Sequence, residues 1–166
     1  MSNLDPSPAR PFGFGLSYPT FAYDHLVVAS AQVVTDGAIG VSVQVTNTGT
    51  THGDDVVQLY AHDVVASITR PVAQLLGFQR VSLAPGEAVC VHFTVPTGRL
   101  AFSGRDMARV VEPGQIELWV GRSCIERAVE SAVELVGPPH VITGDDPRWV
   151  DVTVTSSPAP TPSRVQ

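Results

Sequence analysis

The side chains able to do chemistry are few and scattered. His25, His52, His62, His92 and His140 are dispersed, with no H-x-x-x-H and no C-x-x-C spacing, so neither a metal site nor a cofactor is expected. Cys90 and His92 stand two apart on an alternating run, which brings a thiol and an imidazole to one strand face. Such positions lie about 6.5–7 Å apart along a strand, and no third group orients them, so a nucleophile–base dyad is not expected. Asp54-Asp55 and Asp145-Asp146 lack the ligand spacing of a calcium loop and read as turn residues. Hydrolysis by paired carboxyl groups about 5–10 Å apart has no marker in the sequence. Gly121-Arg122-Ser123-Cys124 lacks the closing glycine of a nucleophile elbow, and Gly13-x-Gly15 neither follows a strand nor opens a helix. No residue is assigned a catalytic role.

Recognition suits the remaining features better. Trp119 is expected on the strand face opposite Ile116 and Leu118, where it would stack on a sugar ring or dock on a neighbouring domain unless the C-terminal segment covers it. Arg70-Pro71 stands in a long connection, where the arginine would reach a carboxylate on another domain or be solvated. PFGFGLSYPTF, Pro11 to Phe21, gathers Phe12, Phe14, Tyr18 and Phe21 among Gly13, Gly15 and Pro19. That composition resists helix and ladder, yet its rings need a surface to bury them.

The elements that must carry these residues read as strands. In Val41 to Thr46, Val41, Val43 and Val45 share one face and Ser42, Gln44 and Thr46 the other, the period of a half-buried strand. Asn47 to Gly49 stop it, residues tolerant of positive φ, and Val56 to Ala61 follows as a partner with apolar groups on both faces, which predicts a hairpin-like pair and a central second strand. Ala22 to Val34 supplies one or two strands with Tyr23, Val27 and Val28 as core candidates. Leu75 to Leu83 is an irregular strand ended by Ala84-Pro85-Gly86-Glu87. Val89, Val91, Phe93 and Val95 face inward on the next, and Ile116, Leu118 and Val120 on another. Arg127 to Val136 and Trp149 to Thr155 also alternate. Short strands roughly 8–12 residues apart, separated by Gly/Pro turns, predict an all-β fold, a β-sandwich of about seven strands of the immunoglobulin or fibronectin type III kind with flexible ends.

Size and charge bound the partners. A chain of 166 residues suits one domain and buries roughly 68–70% of its unfolded surface, enough for a core without staples. Two cysteines do not make a disulfide framework, and Cys90 and Cys124 are either free thiols or one bridge. The net charge of −6 and pI near 5.2 argue against nucleic acid and anionic membrane. All ten basic residues are arginine and are spread along the chain. No stretch approaches the roughly 20 apolar residues of a membrane span. MSNLDPSPAR has neither a basic n-region nor an apolar h-region, so a cytoplasmic location is expected.

PFGFGLSYPTF, VTNTG, GDDVVQLY, RPVAQLLGFQRVSLAPGE and VVEPGQIELWVG occur in one order. In that order they resemble the C-terminal fibronectin type III-like domain of family 3 glycoside hydrolases, the β-glucosidases and β-xylosidases, over Pro11 to Val136. Ala73-Gln74 departs from the charged pair usual there, and Gly137 to Gln166 has no counterpart in the pattern. The resemblance implies a non-catalytic accessory module, detached or split from an enzyme of carbohydrate metabolism. The family's nucleophile and acid/base lie ahead of this domain, so the chain alone is not expected to be an enzyme. Residues 1–10 would be a flexible lead-in and 11–21 a linker docking on a catalytic domain through Phe12, Phe14, Tyr18, Arg70 and Pro71. Residues 22–137 would form the sandwich, 138–155 an extra strand and 156–166 a disordered tail. The alternative is a free-standing carbohydrate-binding or adhesion module using Trp119.

Overall fold

The computed structural model describes residues 8–64, 72–104 and 107–157. The strands are β1 (Phe21–Val28), β2 (Gln32–Val34), β3 (Ala38–Asn47), β4 (Gly53–Asp63), β5 (Gln74–Leu83), β6 (Ala88–Pro96), β7 (Phe102–Ser103), β8 (Arg109–Val111), β9 (Gly114–Gly121), β10 (Val129–Val136), β11 (His140–Val141) and β12 (Asp151–Ser157). They form a β-sandwich. One sheet runs β1-β3-β6-β12, the other β2-β10-β9-β4-β5, and β11-β8-β7 make a small third. All pairs are antiparallel except β2 on β10. The two main sheets therefore hold nine strands among the described residues, where about seven were expected, because the short β2 and the late β12 each add to an edge.

The core follows the alternation. Val41, Val43 and Val45 on β3 and Val91, Phe93 and Val95 on β6 meet Val57 and Leu59 on β4 and Ile116, Leu118 and Val120 on β9. Each such side chain contributes about 1.5–3 kcal/mol on full burial. β4 is central, between β9 and β5. The expected hairpin of β3 with β4 does not form: β3 pairs with β1 and β6, and β4 belongs to the opposite sheet. Both strands bury an apolar face, and crossing between sheets lets those faces meet.

Asn47 fixes the crossing by hydrogen bonding, not by positive φ. Its Nδ2 donates to the carbonyls of Thr51 and Leu83 at 2.9 Å each, and its Oδ1 accepts from the Gly49 amide at 2.9 Å. A fully buried amide with both ends satisfied ties β3, the crossing loop and the end of β5 together.

Two strands change phase. The β1 ladder slips between Asp24 and Val27, around His25 with φ 53°. Leu26 and Val28 then pack on the core, while Val27, expected inside, is exposed. On β5 the register shifts where Leu59 faces Gly77 and Tyr60 faces Leu75. Leu76 is buried before the shift and Val81 and Leu83 after it, which turns Phe78 outward.

Residues after β10 return to the sandwich. β12 pairs along β6 from Asp151 opposite Thr94 to Ser157 opposite Ala88. His140, Thr143 and Asp146 close the loop before it: the Asp146 carboxylate lies 2.7 Å from His140 Nε2 and accepts from the Thr143 amide at 2.6 Å.

Candidate functional site

Residues 11–18 lie across β4 and the β9–β10 loop, and their composition decides how. Gly13 has φ +85°, and a Cβ there would overlap Gln58 Oε1 and the Tyr60 hydroxyl. Only glycine allows this approach at such a dihedral. The backbone is held from below. Gln58 Nε2 donates to the Gly13 carbonyl at 3.0 Å and the Cys124 amide to the Phe12 carbonyl at 2.9 Å, with the Tyr60 hydroxyl 3.5 Å from that same oxygen. Ser17 Oγ donates to the Asp54 carbonyl at 2.8 Å. Pro19 then packs over Gly49 and Gly53.

With the main chain turned inward, the side chains point out. Phe12 is 68% exposed, Leu16 83%, Tyr18 fully and Phe14 45%. The guanidinium of Arg10 lies 5.4 Å from the Phe14 ring centre. Phe78, placed outside by the β5 phase change, shares a groove of about 540 Å³ with Phe12, Phe14 and Leu16. Sequence reasoning did not single out Phe78. A period-2 pattern put it with Leu76, and only the register shift separates them.

Charged groups line one side of this groove. Asp54 and Asp55 are strand residues of β4, not the turn residues their sequence suggested. Arg80 Nη2 meets the Asp54 carboxylate at 2.6 Å, and hydrogen bonds from Arg80 and then Ser82 hold that carboxyl below its usual range. Both partners are exposed, so the pair adds little stability. Asp55 is buried. It accepts from the Tyr23 hydroxyl at 2.6 Å and from the Val56 amide at 3.0 Å, with Arg122 Nε at 3.8 Å. Burial first, and then the Asp55 carboxylate, push Tyr23 far above an ordinary phenol.

Phe12 and Phe14 thus come together in one groove, and Tyr18 is exposed just beyond its lining residues. Arg70 and Pro71 lie outside the described residues. Trp119 does not stand where a sugar could stack. It is 1% exposed, with the Tyr60 ring stacked at 5.6 Å on one side and Arg127 4.2 Å from its ring centre. Glu117 and Glu130 hold Arg127 in place at 3.1 and 3.4 Å. The alternation gave Trp119 its face, but Tyr60 of the same sheet and Arg127 of the β9–β10 loop cover that face.

His92 Nε2 lies 3.1 Å from Thr155 Oγ1 on β12, and Cys90 and Cys124 are both free thiols. Burial pushes the Cys90 thiol up, which disfavours the nucleophilic thiolate. Among the described residues no group of three or more His, Cys, Asp or Glu side chains is gathered to hold a metal ion. No helix among them is long and apolar enough to cross a membrane.

Comparison with known proteins gives a consistent likeness. The family model of the fibronectin type III-like domain matches residues 55–124. The periplasmic β-glucosidase of Salmonella typhimurium is 42% identical over 114 residues, covering 69% of this chain and 15% of that enzyme. The β-xylosidase of Formosa agariphila is 44% identical over 119 residues, covering 72% and 16%. Among solved structures, a β-glucosidase from Listeria innocua in complex with isofagomine superposes with a TM-score of 0.77 at 31% identity, covering 82% of this chain and 19% of that one. A β-glucosidase from Erythrobacter marinus gives 0.76 at 38% identity, covering 82% and 18%. The chain spans 15% to 16% of the length of these two curated relatives.

Proposed function

Because this chain belongs to the fibronectin type III-like domains carried by β-glucosidases and β-xylosidases of glycoside hydrolase family 3, we propose that it is a non-catalytic docking module of such an enzyme. Its aromatic arm and Phe78 seat against a catalytic domain, in one polypeptide or in trans. The observation that carries this reading is the orientation of residues 11–18: main chain bonded to the sandwich, rings directed away from it. A segment meant only to complete its own core would point its rings the other way.

The size of the patch bears on how the partner is held. Five side chains, Phe12, Phe14, Leu16, Tyr18 and Phe78, would contribute about 8–15 kcal/mol if fully buried. Association of two separate molecules costs a comparable 4–15 kcal/mol. Docking is therefore weak in trans and firm when one chain carries both parts. Specific groups support the geometry, since the Asp54–Arg80 pair sits at the groove edge where a partner's polar groups would meet it.

The test is to mix the purified chain with a family 3 β-glucosidase catalytic region lacking this domain and follow thermal unfolding of that region. Saturating chain, at about 100 times Kd, should stabilise it by about 2.7 kcal/mol. The variant Phe12→Ser, Phe14→Ser, Tyr18→Ser should not. A folded chain that gives no shift at any concentration, or a triple variant that shifts it equally, would refute docking through the arm.

A further inference from the structure

Beyond the arm and Phe78, Trp149 is a further exposed aromatic. It is 87% exposed, two residues before β12, in a groove of about 250 Å³ with Phe78, Leu75, Arg99, Arg148 and Val152. Its exposure is not fraying, because the chain on both sides is packed. Val150 comes within 3.2 Å of where a Cβ on Gly77 would stand, and Ile142 and Pro147 similarly close over Gly98. Val150 and Val152 rest against the core, and the Asp146 carboxylate holds the preceding loop. The indole is thus presented by a fixed segment with its face open.

The surrounding charge selects what it would meet. In a chain of net charge −6, this groove contains two arginines and no carboxylate. Neither arginine pairs with an acid among the described residues. Arg148 Nη2 makes one long bond to the Thr143 carbonyl at 3.4 Å, and Arg99 Nη2 one to the Leu76 carbonyl at 3.5 Å. Arg99 Nε is buried and has no hydrogen-bond partner among the described residues. Guanidinium groups with unused donors favour a planar carboxylate. Size decides further: the volume is below the 300–1,000 Å³ of ordinary ligand pockets, so it fits one ring. A flat apolar face above an indole and a carboxylate at its rim describe a pyranose acid.

We propose that the Trp149 groove binds a carboxylate-bearing sugar ring, a uronate, which stacks on the indole and pairs with Arg148 and Arg99. This goes beyond the docking reading and does not depend on it, since the chain alone suffices for the test. The two tryptophans make the measurement specific: Trp119 is buried and Trp149 exposed, so a ligand in the groove changes only the red-shifted emission. Glucuronate, its methyl ester and glucose are titrated against the full chain. At the efficiency of ordinary ligands, one ring of this size binds with Kd on the order of 1 mM. Glucuronate should give a saturable change in that range, two- to about fivefold tighter than ester or glucose, the worth of one exposed ion pair. Trp149→Ala should abolish the change, and Arg148→Gln should narrow the gap between glucuronate and the ester. Both substitutions are at the surface and leave the fold intact. No saturable change with any sugar, or an equal change in Trp149→Ala, would overturn the proposal. Equal affinity for glucose and glucuronate would overturn the carboxylate's part in it, and a tetraglutamate peptide matching glucuronate would replace the sugar by a protein partner.

Discussion

Replacing Gly13 by alanine should release the aromatic arm without unfolding the sandwich. Two well-formed hydrogen bonds hold the arm at Gly13, Gln58 Nε2 to the Gly13 carbonyl at 3.0 Å and the Cys124 amide to the Phe12 carbonyl at 2.9 Å, and Ser17 Oγ bonds the Asp54 carbonyl further along. At 0.5–1.5 kcal/mol each, the two at Gly13 contribute about 1–3 kcal/mol. An L-residue held at positive φ costs about 1–2 kcal/mol, and the new Cβ would also overlap Gln58 Oε1 and the Tyr60 hydroxyl. The opposing terms are equal in size before the overlap is counted, so the arm should leave its seat. The assay is amide hydrogen exchange at Cys124. Its protection should fall at least tenfold, which corresponds to about 1.4 kcal/mol, while amides of β3 and β6 keep theirs. Gly15→Ala is the control, because a Cβ at Gly15 meets nothing within 4 Å. Unchanged exchange at Cys124 in Gly13→Ala, or an equal effect from Gly15→Ala, would refute the claim that close backbone approach at Gly13 seats the arm.

Other predictions follow from the charged and aromatic groups. Tyr23→Phe removes a hydrogen bond to the buried Asp55 carboxylate and should lower stability by about 1.5–3 kcal/mol in urea unfolding. Because the folded pKa of Tyr23 is raised above its unfolded value near 10, its contribution is complete below pH 10 and lost as pH rises through the folded value. The wild-type chain should therefore lose stability in alkali more steeply than Tyr23→Phe, with Tyr60, pushed up to about 12 by burial and then by Cys124, contributing a residual slope in both. Hydrogen bonds from the Thr143 amide and from His140 hold Asp146 down to about 2. Its contribution is present above pH 4 and lost as pH falls through about 2, so the Thr143 amide should lose exchange protection over that interval, and Asp146→Asn should show no such transition. Trp119→Ala removes a fully buried ring between Tyr60 and Arg127 and should cost about 3–5 kcal/mol in the same urea assay. A loss below 1 kcal/mol would mean the site is not packed as described.

What could be read from the sequence was whatever depends on period and turn chemistry. Val41, Val43 and Val45, and Val89 to Val95 on alternate positions, give their burial directly, because a strand with one face on a core repeats every two residues. The same rule breaks wherever the backbone inserts a residue. Val27 and Phe78 are placed outside by phase changes at His25 and at Leu75 to Gly77, and neither leaves a composition signal strong enough to shift a count by one. Pairing was also hidden. Nothing local to Val41–Tyr60 tells a hairpin from a crossing between sheets. That choice rests on Asn47 reaching the Leu83 carbonyl, 36 positions away. Asp55 looked like a turn residue because its partners, Tyr23 and Arg122, are both far from it in sequence. Trp119 failed for another reason, since its face was right and its neighbours were unknown.

The two exposed surfaces share one cause in the β5 register shift. Before it, Leu76 points into the sandwich; after it, Val81 and Leu83 do. Between them Gly77 faces inward, where its missing side chain leaves room for Val150 and Phe93. Had the alternation continued unbroken, Phe78 would have filled that space, and Val150 could not pack there to fix Trp149. The shift therefore turns one aromatic out towards the arm and admits the C-terminal segment that presents another. Leu75 and Phe78 consequently line both grooves, the one beside Phe12 and Phe14 and the one beside Trp149. A partner that buries Phe78 through the arm must also alter one wall of the Trp149 groove, so occupancy of the two surfaces is physically linked through that single side chain.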